Sequence, residues 1–170
     1  GAIIAWEDWR STIDIYAQRV DSLGNCLWTL DGVPICTDSG LQEFPCITSD
    51  GYGGAIIAWQ DGRNSNWDIY AQRVDSSGNS QWILNGIAIC TAESTQGGPP
   101  QIIEDGNGGA IVVWVDTRNG NGDIYGQRID VNGILKWDNN GLVICNAAEN
   151  QNFYGGGPPV TGMFGNYMVK

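Results

Sequence analysis

The sequence predicts an all-β fold assembled from repeated four-stranded antiparallel sheets, and three observations predict it. Residues 1–21, 54–75 and 109–130 read GAIIAWEDWRSTIDIYAQRVD, GAIIAWQDGRNSNWDIYAQRVD and GAIVVWVDTRNGNGDIYGQRID, one phrase returning with a period of 53 to 55 residues. Its landmarks step together: Trp6, Trp59 and Trp114; Trp28, Trp82 and Trp137; Cys36, Cys90 and Cys145. Within each copy, short apolar runs rich in β-branched residues alternate with turns containing Gly and Asp, and no segment carries helical periodicity. Four strands repeating at such a period is the pattern of β-propeller blades. A β-sandwich has no reason to repeat so closely, and the coils of a β-helix are shorter. The units fall at about 1–46, 47–100 and 101–157, with 158–170 as a closing or exchanged segment.

The middle unit shows the elements in order. Ala55-Ile56-Ile57-Ala58-Trp59 is too short for a helix and apolar on both faces, which suits a sheet packed between two others. Asp68 to Asp75 reads as a second strand, and Asp75-Ser76-Ser77-Gly78 as a tight turn with Gly at a left-handed position. The same turn recurs as Asp21-Ser22-Leu23-Gly24 and Asp130-Val131-Asn132-Gly133. A third strand is predicted around Trp82, followed by a Gly86 loop into the apolar Ile87-Ala88-Ile89-Cys90. Pro99 to Glu104 reads as a further strand, and Asp105-Gly106-Asn107-Gly108-Gly109 turns into the next unit.

Composition narrows the functions. A hydrophobic content of 42% with 8 Trp supplies a core, while acids outnumber bases 19 to 8. The net charge of −11 argues against nucleic-acid partners, because nothing would replace the counterions of a phosphate backbone. No apolar run approaches the roughly 20 residues that span a bilayer. The absence of His excludes His-based triads, metal sites and proton shuttles. No signal peptide or initiator Met is present, and Gly1 reads as a mature or excised start.

The phrase Trp-x-Asp-x-Arg, a short loop, then Asp-Ile-Tyr-Ala-Gln-Arg (Gly for Ala in the third copy) resembles repeats of large secreted or surface-attached bacterial proteins similar to β-propellers. The resemblance covers residues 1–160 and implies architecture and an extracellular or cell-surface location. It implies no ligand, since propeller folds host many unrelated functions.

Propellers close with about four to eight blades, so three leave two raw edges. Gly1 starts at the second strand of a unit, whereas Gly157-Pro158-Pro159-Val160-Thr161 echoes Gly98-Pro99-Pro100-Gln101-Ile102, the run that opens one. The expectation is a homodimer in which each C-terminal segment completes the partner's first unit and closes a six-bladed ring. The alternatives are a filament built from the same contact, or a piece of a longer propeller.

All six arginines occupy repeat positions: Arg10, Arg63 and Arg118, and Arg19, Arg73 and Arg128. Asp8, Asp61 and Asp116, with Asp14, Asp68 and Asp123, recur beside them, and bidentate Arg–carboxylate clips are expected. The functional counterpart is a set of sugar or carboxylate sites on Trp9, Arg10, Arg63, Asn64, Trp67, Arg118 and Asn119. Trp9 and Trp67 lie outside the Trp register, and a flat ring beside Asn and Arg suits a sugar face. Asp and Asn alternating in the loop 61–68 can hold Ca²⁺, but no bidentate Glu follows and Arg63 intervenes, so Asx turns account for the pattern. No metal or other cofactor is expected.

The equivalent Cys36, Cys90 and Cys145 lie too far apart to pair with one another, while Cys26 and Cys46 permit a local disulfide, as does a pairing with Cys36. Each marked carboxylate belongs to a repeated motif, whereas catalysis needs one asymmetric constellation, so no catalytic residue is assigned. The leading expectation is a non-catalytic scaffold or recognition module. A lectin using the blade loops comes second and a piece of a propeller glycosidase third; sialidases place arginines on propellers, but on unequal blades.

Overall fold

The computed structural model describes residues 1–153. These contain no helix. Their strands form three antiparallel sheets: β1 (Ala2–Asp8), β2 (Asp14–Val20) and β3 (Val33–Cys36); β4 (Gln42–Ser49), β5 (Ala55–Asp61), β6 (Asp68–Val74) and β7 (Ile87–Cys90); β8 (Gln96–Glu104), β9 (Ala110–Asp116), β10 (Asp123–Ile129) and β11 (Leu142–Cys145). Each sheet is a simple meander, so every chain neighbour is a sheet neighbour. The first sheet has three strands, and β1 forms its edge. Sheets two and three begin at Gln42 and Gln96, five residues ahead of the unit divisions read from the repeat. The segment 158–170 lies outside the described residues.

The sheets stack face to face in chain order. Every residue of β5 is buried, because the middle sheet has a neighbour on both sides. Ala55, Ile57 and Trp59 pack with Ile15, Ala17, Ile35 and Cys36 of the first sheet. Ile56 and Ala58 pack with Ala110, Val112 and Trp114 of the third. Period-two alternation thus sends each sheet's Trp face backwards and its Cys face forwards. The pairing β5–β6 runs Ala55↔Val74 to Asp61↔Asp68, and β1–β2 and β9–β10 keep the same register.

The structure corrects the predicted strand at Trp82. Its segment meets β6 only through the isolated bridge Val74↔Ser80. The buried Gln72 amide replaces a ladder: Nε2 donates to the Ile83 carbonyl, and Oε1 accepts from the backbone N–H groups of Trp82 and Arg73. Gln18 and Gln127 do the same at Trp28 and Trp137, which explains why Gln recurs in the second strand of each unit.

Gly86 and Gly141 lie at φ near +89° and +83°, and a Cβ on either would stand 2.5 Å from the ring of Trp59 or Trp114. Gly120 has a similar φ of +96° with open space around it. Substituting Ala at Gly120 therefore tests backbone strain alone, about 1–2 kcal/mol. At Gly86 the same change adds overpacking, a further ~1–3 kcal/mol. Urea unfolding of Gly86→Ala and Gly120→Ala should show the larger loss at Gly86.

Candidate functional site

The most heavily built polar arrangement lies between successive sheets. In the middle sheet, Asp61 ends β5 with no exposed surface. Its carboxylate accepts the indole N–H of Trp59 at 2.7 Å, the backbone N–H of Arg63 at 3.0 Å, and two guanidinium bonds from Arg63 at 2.8 and 2.6 Å. Arg63 in turn donates to the Asn85 carbonyl, to Asp38 and to the Cys36 sulfur, the last two contributed by the preceding sheet and its following loop. The guanidinium lies 3.9 Å from the centre of the Tyr70 ring. Asp116 and Arg118 repeat this clip with Trp114, Cys90, Asn140 and Tyr125. Asp8 and Arg10 repeat it with Trp6, the Asp31 carbonyl and Tyr16, with no sheet behind them among the described residues.

Chemically, these clips are satisfied. Burial pushes the thiols of Cys36 and Cys90 up, to about 12 and about 11, so both stay protonated beside the clip at neutral pH. The Arg10 guanidinium leads the interactions that hold Asp8 down at about 2. The Cys36 and Cys90 thiols face Asp61 and Asp116 at 3.9 and 4.0 Å, carboxylates already committed to their arginines, and no cluster of metal-ligating side chains occurs among the described residues.

Asp68 and Asp123 sit apart from the arginines. Asn64 bridges Asp68 Oδ2 and the Tyr70 hydroxyl, and Asn119 bridges Asp123 and Tyr125. Asn66 adds a bond to Asp68, while Ser11 and Thr12 cap Asp14. Burial raises the pKa of Asp68 despite these donors. These are Asx-type contacts closing the loop.

A comparison with protein-family models, curated proteins and solved structures finds no match.

Arg73 and Arg128 bind partners that the sequence reading did not name. Asp50 and Asp105, in the turns after β4 and β8, each lie 2.8 Å from their guanidinium. The recurrence of Asp50-Gly51 at Asp105-Gly106 was the available signal. Arg19 has no such carboxylate in its own sheet and donates instead to the Ser76 carbonyl of the next, at 2.7 Å. All five cysteines are free, which removes the disulfide considered for Cys26, Cys36 and Cys46.

Of the two tryptophans outside the register, Trp9 is 71% exposed. Trp67 lines a cavity of about 250 Å³ with Gly40, Leu41, Gly62, Ser65 and Asn66. The structure does not bring Trp9 and Trp67 together with the three clip arginines into one pocket, because each arginine is turned onto its own aspartate.

Replacing Arg63 with Ala leaves Asp61 buried and uncompensated, which should cost about 3–5 kcal/mol in urea unfolding; Arg10→Ala, at the more exposed copy, should cost much less. At Asp105 burial opposes the charge, but N–H groups of Asn107 and Gly109 with Arg128 outweigh it and hold the pKa below 3.8. The unfolded chain therefore binds that proton first, and the stabilisation is present above about pH 4 and lost as pH falls through the folded value. Asp105→Asn should flatten the acid limb of the stability profile.

Proposed function

We propose that this chain is a non-catalytic extracellular β-propeller scaffold or recognition module that completes its ring with a second copy of itself. The observation that carries the reading is the difference between its two end faces. Ile4, on the Trp face of the first sheet, is 50% exposed, whereas its equivalents Ile57 and Val112 are fully buried. Ile144, on the forward face of the third sheet, is 54% exposed, whereas Ile35 and Ile89 are 2% and 1% exposed. One open face is thus a copy of the surfaces that internal sheets present backwards, the other of those presented forwards. Two copies placed head to tail satisfy both.

Gln151 supports a strand exchange. Its backbone N–H donates to the Gly122 carbonyl just as Gln96 donates to Trp67 and Gln42 to Ile13. Its side chain also bonds the carbonyls of the loop before it, as those of Gln42 and Gln96 do. Gln42 and Gln96 each open the first strand of the next sheet, and β1 is an edge strand beside which a partner copy's strand can pair. Location rests on the resemblance to secreted bacterial repeat proteins.

A second reading, carbohydrate binding, is favoured by the cavity beside Trp67. Sedimentation velocity at micromolar concentration should give twice the chain mass, and Ile4→Glu or Ile144→Glu should return it to a single chain with the fold intact. A single chain for the unmodified protein at every concentration refutes the scaffold reading as stated. Saturable binding on a glycan array that is lost in Trp67→Ala would establish the second.

A further inference from the structure

Contacts between successive sheets follow one rule, used twice within the chain. The indole N–H of Trp28 donates to the Ser76 carbonyl in the turn of the next sheet, and that of Trp82 to the Val131 carbonyl. A Cβ on Gly78 would stand 2.9 Å from Trp28, and one on Gly133 would stand 3.1 Å from Trp82, so each turn glycine lies flat against the preceding indole. The thiols of Cys36 and Cys90 receive Arg63 and Arg118 of the following sheet at 3.1 and 3.2 Å. The backbone N–H groups of Thr37 and Thr91 donate to Asn85 and Asn140 of the following sheet.

At the two ends, half of each contact stands without its counterpart among the described residues. On the third sheet, the Trp137 indole N–H and the Cys145 sulfur have no such partner. On the first sheet, Arg10 receives no thiol, and the side chain of Asp31 stands where Asn85 and Asn140 accept. Nothing lies within 4 Å of a Cβ placed on Gly24, the counterpart of Gly78 and Gly133.

Resting on the self-association proposed above, we infer the atomic register of that contact. Trp137 donates to the partner copy's Ser22 carbonyl over its Gly24. Cys145 sits on the partner copy's Asp8–Arg10 clip, and the Asn146 N–H reaches its Asp31. The interface is heterologous, with different residues on its two sides, and each of two copies forms it once with either end. It also changes the chemistry of one thiol: Cys145 passes from a partly exposed edge into the environment that keeps Cys36 and Cys90 buried.

Iodoacetamide labelling of the native chain, mapped by peptide mass, reads this directly when run at dilute and at assembling concentrations. Cys26, which is exposed, should react in both, and Cys36 and Cys90 in neither. Cys145 should react in the dilute chain and at least tenfold more slowly in the assembly. Trp137→Phe keeps the ring, loses the donor, and should raise the dissociation constant severalfold. An assembly in which Cys145 labels as fast as in the dilute chain, or which Trp137→Phe leaves unchanged, overturns this register while leaving self-association standing. A chain that never assembles overturns both.

Discussion

A carboxylate with no exposed surface, held at the boundary between two sheets, sets the terms for the rest of the structure. Asp61 and Asp116 are fully buried there and need their acceptor directions filled, because an unpaired buried polar group costs several kcal/mol. Arg63 and Arg118 fill two directions, the adjoining backbone N–H a third and the indole of Trp59 or Trp114 a fourth. The guanidinium then needs its own surroundings, and it finds a tyrosine face, a loop carbonyl and a thiol from the sheet behind. Residues from two sheets are therefore committed by one charge. That is why Trp, Asp, Arg, Tyr and Cys keep step through the repeat.

The same constraint explains the uneven character of the three copies. The middle sheet completes a clip behind it and supplies a thiol ahead, and both faces of β5 are closed. In the first sheet the arginine side chain is 46% exposed over Asp8, against 12% for Arg63. Its loop also differs, with Ser11 and Thr12 capping Asp14 where Asn64 and Asn66 cap Asp68. Polar capping of a loop tolerates such exchange, since any short donor closes an Asx turn. The clip does not, and its Trp, Asp, Arg and Tyr are the same in all three copies.

Much of this was legible in the sequence. The period gave the strands β5 and β6 and their equivalents, and the apolar runs without alternation announced a sheet covered on both faces. The pairing of Arg10, Arg63 and Arg118 with the adjacent aspartates followed from their joint recurrence. Three features were not legible. The segment at Trp82 has strand-like letters, but Gln72 satisfies its backbone by side chain, and no propensity scale records that substitution. Asp50 and Asp105 lie more than 20 residues before the arginines they bind, so sequence proximity pointed to other acids. Glycines 86 and 141 answer to indoles brought over them by folding, which spacing does not reveal.

Direction is the last consequence of the clip. Each sheet presents a Trp, Asp and Arg face backwards and an Ile and Cys face forwards, so each face is matched by the opposite face of a like sheet. A stack of this kind cannot end by two identical faces meeting about a twofold axis, as an isologous interface would require. It can end only where a different surface covers it, or where the last forward face meets the first backward one. Apolar residues as open as Ile4 and Ile144 are costly to leave in water, at about 25 cal/mol for each Å² of apolar surface. Polarity and exposed apolar ends together make an array of such sheets a unit that builds onward in one sense, whatever its length.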